Sequence, residues 1–264
     1  MALQAHELRQ VHRVAQHAYL YSQIAQHRFF EWLTEKFGEE NQIDFDREVN
    51  EAVISSSRGS MTVRGSIIAS ITSLPTTLMW GWCPRYIEHT VAHPITVAMR
   101  EYGERHGLSE FVTEEVPYSK EVSPRILLSE LASDVASCVH DIFGPNYRFY
   151  MPQVNVFGHR VTIALWGLPR EALFVDFLEA VGYLPNIIPR VDDPAWSLDG
   201  FARLMGAQLT EVGLDWWRLT KQGQSVEIAL KRDGEGNLRD VEMRKLSGDA
   251  LPSKRGADSY EMPW

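Results

Sequence analysis

The side chains whose types and spacing could do chemistry are histidines, carboxylates and aromatics. His89 and His93 stand four apart with Glu88 beside the first, a spacing that on a helix would let two imidazoles share a metal ion. Pro94 spoils that geometry, because a residue before proline is pushed toward extended backbone and the helix begins at the proline instead. No third ligand stands at a telling distance, so the pair reads as loop histidines and no metal site is expected. Nearer the N-terminus lie His6, His12, His17 and His27. At about 100° per residue His6 and His17 are roughly 20° apart, while His12 lies roughly 120° from His6. They form no cluster and read as a solvated helix face. Asp44 and Asp46 share a strand face, and Glu114-Glu115 precede Pro117. Paired carboxylates can split their pKa values for acid–base work, but without a partner at a set distance these read as surface acids. Ser66 sits in Arg-Gly-Ser-Ile rather than a nucleophile elbow, and no glycine fingerprint for a dinucleotide or a P-loop occurs. No catalytic residue and no cofactor is expected on these grounds.

The aromatics form the more pointed pattern. TLMWGW, Thr77 to Trp82, places Leu78, Trp80 and Trp82 on one face at a period of two, and NYRFYMP, Asn146 to Pro152, places Tyr147, Phe149 and Met151 on one face with Arg148 and Tyr150 on the other. Trp80, Trp82, Tyr86, Tyr147, Phe149 and Tyr150 could line a pocket between sheet and helices, with Arg148 to orient an anion. The competing reading is that they are core and edge-packing residues. Trp216-Trp217 is a separate case. Adjacent residues on a strand point opposite ways, so one sheet face cannot bury both, and one ring needs a helix, the larger domain or another protein to cover it.

The chain that must position these groups has 264 residues, 44% of them apolar, enough for one large core or two smaller ones. It carries 26 basic against 35 acidic residues, a formal charge of -9, with no basic stripe of the kind a phosphate backbone requires. No nucleic-acid or membrane partner is expected. The start, MALQAHELRQVHRVAQ, lacks the basic-then-apolar order of a signal peptide, which points to the cytoplasm. Cys83 and Cys138 make neither a disulfide framework nor a metal cluster and read as small buried side chains.

Apolar periodicity predicts a helix over Leu8 to Phe37, then antiparallel strands at Ile43 to Phe45, Ala52 to Ser57, Met61 to Ile71 and Thr76 to Trp82, with a tight hairpin at Arg58-Gly59-Ser60. In the third strand Val63, Gly65, Ile67, Ala69 and Ile71 lie on one side, the pattern of a sheet covered on one face. Helices are predicted after Pro94, from about Ser123 to Phe143, and from Arg170 to Val181 with Leu173, Phe174, Phe177 and Leu178 inward. A strand over HRVTIALWG alternates Val161, Ile163 and Leu165. Pro185, Pro189 and Pro194 mark a boundary between Gly182 and Ser197. Beyond it come a helix at Leu198 to Thr210 and strands at Asp215 to Thr220, Ser225 to Lys231 and Leu238 to Lys245. The expected class is α+β: residues 1–182 an antiparallel sheet packed by helices, 183–246 a small C-terminal unit of helix and antiparallel strands, and 247–264 a flexible tail.

These segments carry a resemblance. From about Tyr19 to Trp166 the chain resembles an uncharacterised family of bacterial proteins with a long N-terminal helix, a sheet ending in a tryptophan-rich strand, two helices and a closing aromatic strand pair. The matching pieces are TLMWGW, REYGERHGL, ELASDVASCVHDIFG and NYRFYMP. Trp80 and Trp82 correspond to the tryptophans of a W-x-W-x-N type motif, but this chain continues Cys83-Pro84-Arg85 where asparagine would stand. The resemblance implies a fold and no activity.

Taken together, the expected function is a non-catalytic binding or interaction module, its partner another protein, a second copy of itself or a small apolar ligand. The alternative is a hydrolase or transferase with dispersed residues near the aromatic strands.

Overall fold

A computed structural model describes residues 8–84, 94–118, 124–155 and 159–246. Its axis is α1, Arg9–Phe37, which ends where the Gly38 amide donates to the Thr34 carbonyl. One apolar stripe would serve one core, but α1 serves three in succession. Leu8 to Ala15 enter the first, Ala18 to Ala25 the second, and Phe29, Leu33 and Phe37 the third. Different sectors of the helix are therefore covered along its length, and polar Gln16, His17, Ser22 and Gln26 are buried along with the apolar ones.

Next come β1 (Gln42–Asp46), β2 (Glu51–Ser56), β3 (Gly59–Ser73) and β4 (Thr76–Trp80), then α2 (Pro94–His106), α3 (Ser109–Val112), β5 (Glu115–Pro117), α4 (Pro124–Phe143), β6 (Arg148–Tyr150) and β7 (Arg160–Trp166). The strands form one seven-stranded antiparallel sheet. The hairpin between β2 and β3 is as tight as expected: Ser56 pairs with Gly59, leaving Ser57 and Arg58 to turn the chain. Long β3 takes β2 along its first half, and along its second half takes β4 on one edge and β7 on the other.

The single covered face expected for β3 is corrected by a bulge. Register slips between Ile67 and Ala69 against β7, and one extra residue in a strand inverts the alternation beyond it. Val63 and Ile67 accordingly face the third core, whereas Ala69 and Ile71 face the first. The sheet is buried on both sides, α2 and α4 with the start of α1 on one, the end of α1 on the other. The chain crosses directly over the bulge at Gly81, whose amide donates to the Ile68 carbonyl at 2.7 Å. A Cβ there would sit 2.0 Å from the Ile67 carbonyl oxygen, so only glycine passes.

The region after β7 departs more from expectation. The predicted helix over Arg170 to Val181 is two: α5 (Arg170–Leu173) and α6 (Phe177–Ile187), with Asp176 capping the second by accepting from the Glu179 amide at 2.9 Å. Phe174 falls in the break and is exposed rather than inward. The boundary drawn at 182/183 lies inside α6, which tolerates Pro185, and a 3-10 turn over Ile188–Arg190 leads to α7 (Pro194–Met205). Asp193 caps α7 and Pro194 occupies its first turn, where a missing N–H is harmless. The stretch from Arg170 to Arg190 is apolar enough in length and composition to cross a membrane, yet more than half of its most apolar window is buried inside the fold.

The helix expected to reach Thr210 stops at Met205, and Gln208–Gly213 is a strand, β8. With β9 (Trp216–Lys221), β10 (Gln224–Arg232) and β11 (Leu238–Lys245) it makes a four-stranded antiparallel meander. Val226, Ile228 and Leu230 face inward as expected, joined by Trp217 and Leu219, and meet α6, α7 and the middle of α1 in the second core. Helices α1 and α7 touch backbone to backbone: a Cβ on Gly200 would lie 1.7 Å from the His17 carbonyl oxygen. The fold is α+β throughout, two antiparallel sheets packed by helices, and the expected tail at 247–264 lies outside the described residues.

Candidate functional site

The first aromatic strand is core. Trp80 is buried, stacks on Phe111 with ring centres 5.2 Å apart, and donates from Nε1 to the Glu110 carbonyl at 2.7 Å. Trp82 is buried in the same core, just past the end of β4, with the Arg100 guanidinium 5.0 Å over its ring; its Nε1 finds no acceptor among the described residues. Tyr86, with Glu88, His89 and His93, lies outside the described residues.

The second aromatic strand is likewise turned inward. Tyr147 is half-buried between Phe143 and Trp166, and half-buried Tyr150 packs on the third core. Arg148 does not offer its charge to a pocket. It is 0% exposed, and its guanidinium donates to the carbonyls of Ala172, Pro145, Tyr147 and Leu173 at 2.6 to 3.1 Å. Four carbonyls supply partial charge without a carboxylate, and burial accordingly lowers its pKa from the ordinary value. Beside it His140 is fully buried, Nδ1 on the Ser22 hydroxyl and Nε2 on the Tyr147 carbonyl, both at 3.0 Å. A carbonyl only accepts, so Nε2 carries the proton and Nδ1 accepts from Ser22. The ring is neutral, and burial pushes its pKa down to about 3.

The tryptophan pair divides as strand geometry requires. Trp217 is buried on the inner face of the small sheet, opposite Ile228. Trp216 lies on the outer face, half-buried, with the Arg244 guanidinium 5.4 Å from its ring centre. One row along, Glu227 stands between Arg218 and Arg244, which donate to its two oxygens at 2.7 and 2.8 Å. Those bonds, Arg218's first, hold its carboxyl below the usual range. Two guanidiniums meet one carboxylate, so the row carries a surplus positive charge. At its edge β8 exposes Val212 and the β8–β9 turn exposes Leu214, the latter at 94%.

A further set of polar groups has no counterpart among the sequence expectations, and it corrects the solvated-face reading of the N-terminal histidines. His17 is buried and His12 mostly so, each bridging two carboxylates from different parts of the chain. His12 Nδ1 meets Asp134 of α4 at 2.9 Å and its Nε2 meets Asp192, before α7, at 3.0 Å. His17 Nδ1 meets Asp141 of α4 at 2.6 Å and its Nε2 meets Asp199 of α7 at 3.1 Å. His17 also stacks on Trp196 at 4.1 Å, and Arg203 pairs with Asp141. His27 pairs with Glu31 and packs edge-on against Tyr183. An imidazole with a carboxylate on each nitrogen has no lone pair to accept a proton or bind a metal, so neither ring is a general base or a ligand as it stands. Among the described residues no group of histidine, cysteine and carboxylate side chains is arranged to hold a metal ion.

Residues 12–167 match the model of a family of unknown function (DUF6882). No curated protein and no solved structure matches the chain.

Proposed function

Since the chain belongs to this family of unknown function (DUF6882) over more than half its length, we propose that it works as a non-catalytic protein-interaction module, and that its contact surface is the outer face of the C-terminal sheet. One observation carries the reading: Trp216 stands half-buried on the outer sheet face next to two arginines that share one carboxylate, and the hairpin leading into its strand exposes Leu214 and Val212. Tryptophan and arginine together are the side chains most enriched among interface hot spots. The partner this surface fits presents an apolar side chain to Leu214 and Trp216 and a carboxylate to Arg244. A bacterial, cytoplasmic setting belongs to the same proposal.

The alternative of a hydrolase or transferase at the aromatic strands has less to stand on. Arg148 spends its donors on carbonyls, and both His140 nitrogens are engaged. A small apolar ligand has weaker support too, for a groove of about 390 Å³ lies at the sheet's far end, lined by Leu178, Gln224, Ser225 and Lys245 rather than by the aromatics.

A photo-crosslinking residue in place of Leu214 tests the reading in source cells. A discrete partner should be trapped there, should be lost with Arg244→Glu, and should bind the purified protein. Trapping no greater than from position 53, an exposed site on the large sheet, would overturn it.

A further inference from the structure

His12 and His17 sit where the family-matched part of the chain meets the segment C-terminal to it. Asp134 and Asp141 lie inside residues 12–167, whereas Asp192 and Asp199 lie beyond them. Each histidine thus joins a helix of the family fold to the segment that carries the small sheet. We propose that the two rings are imidazolium clamps that fasten the C-terminal unit onto α1 and α4, and that raising the pH releases them.

The charge state is set by the partners. All four contacting atoms are carboxylate oxygens, which accept and do not donate when ionised, so both nitrogens of each ring must donate. Only the doubly protonated ring does that. Around His12 the facing charges are Asp134 from α4 and Asp192 from the α7 approach, with the Arg13–Asp193 pair alongside. Around His17 they are Asp141 from α4 and Asp199 and Arg203 from α7. Loss of the proton leaves each ring able to donate to one carboxylate only: Asp134 and Asp192 then repel across His12, while at His17 the Arg203–Asp141 pair offsets part of that charge and the clamp loosens.

Burial works against the charged form at both rings, but the carboxylates outweigh it: His12 is raised to about 9, and His17 is raised above its ordinary value by Asp141 and Asp199. A histidine raised in the folded state contributes stability below its unfolded pKa of about 6.5 and loses it as pH climbs through the folded value. The His12 clamp is therefore closed near neutrality and opens as pH climbs toward about 9, and the His17 clamp opens above the ordinary histidine range. His140, neutral and buried on the same helix pair, is the internal control.

Two measurements on the intact chain decide it. In long-range 15N–1H spectra at pH 7.5, His12 should show both nitrogens protonated and His140 only Nε2, and His17 should keep its second proton to a higher pH than a free imidazole does. Amide protection of α7 and β9–β10, corrected for intrinsic exchange, should fall at least about tenfold between pH 7 and pH 9.5, while that of β3 and β7 holds. The Asp192→Asn/Asp199→Asn variant should bring both titrations down by about one unit or more, and the loosening with them. Titration midpoints at or below about 6.5 in the native protein, or α7 protection unaltered up to pH 9.5, would overturn the proposal; the native protein alone suffices if the variant does not fold.

Discussion

Trp216 and Trp217 are consecutive on β9, yet one closes a core and the other faces water. Trp217 joins residues of α1, α6 and α7 in the second core with Ile228 opposite, while Trp216 has Ala229 opposite and Arg244 over its ring. The inner face holds the sheet to the helix that runs through all three cores, and the outer face is left to something else. Under the proposed reading the rigid inner face serves the outer one, because a surface already ordered loses less entropy on binding.

The sharpest way to break this contrast is at Gly200. A valine there would drive into the His17 carbonyl, so α7 could not seat. Gly200→Val should abolish cooperative unfolding of the C-terminal unit, an effect larger than the ~4–5 kcal/mol that marks exceptional substitutions; a denaturation midpoint like the native one would contradict the backbone contact.

Next in size is Trp217→Ala, expected to cost about 3–5 kcal/mol by chemical denaturation. Trp80→Ala should fall in the same range and also leave the Glu110 carbonyl without its donor.

A smaller effect should appear in the pH dependence, and its two limbs have opposite signs. His140, lowered to about 3, favours folding above pH ~6.5 and costs stability as pH falls from there toward 3. His12, raised to about 9, favours folding below pH ~6.5 and loses that contribution between there and 9. The histidines together place an optimum near pH 6.5, and His12→Gln should flatten the alkaline limb alone. A stability that rose steadily to pH 9 would refute the assignment.

The smallest expected effect is Trp216→Ala on stability. The half-buried ring gives up one cation–π contact and part of its apolar burial, together about 1–2 kcal/mol. A loss as large as that of Trp217→Ala would show Trp216 to be core.

What could be read from the sequence rested on local pattern. The run of α1, the burial of Trp80 and Trp82 and the inward row Val226, Ile228 and Leu230 each express a period of 3.6 or 2 within a few residues, and the hairpin expected at Arg58-Gly59-Ser60 turns one residue earlier, at Ser57–Arg58. The bulge at Ile67–Ala69 left no such mark, because an apolar run reads the same whether or not its faces exchange midway. The break at Phe174 was hidden similarly, since apolar residues continue through it, whereas the end of α7 was marked by left-handed Gly206 and the expected helix ran past it. The histidine clamps were invisible for another reason. Their carboxylates lie 122 to 182 residues away along the chain, so no spacing around His12 or His17 could point to them. Arg148 was misjudged because strand alternation gives a direction for its side chain and not the carbonyls waiting there.

The most direct test of the open outer face is the affinity of the crosslinked and purified partner for native protein and for Trp216→Ala. The expected loss is about 2 kcal/mol, roughly thirtyfold in Kd, with the unfolding midpoint moved less than by Trp217→Ala. Equal binding by the two proteins would contradict it.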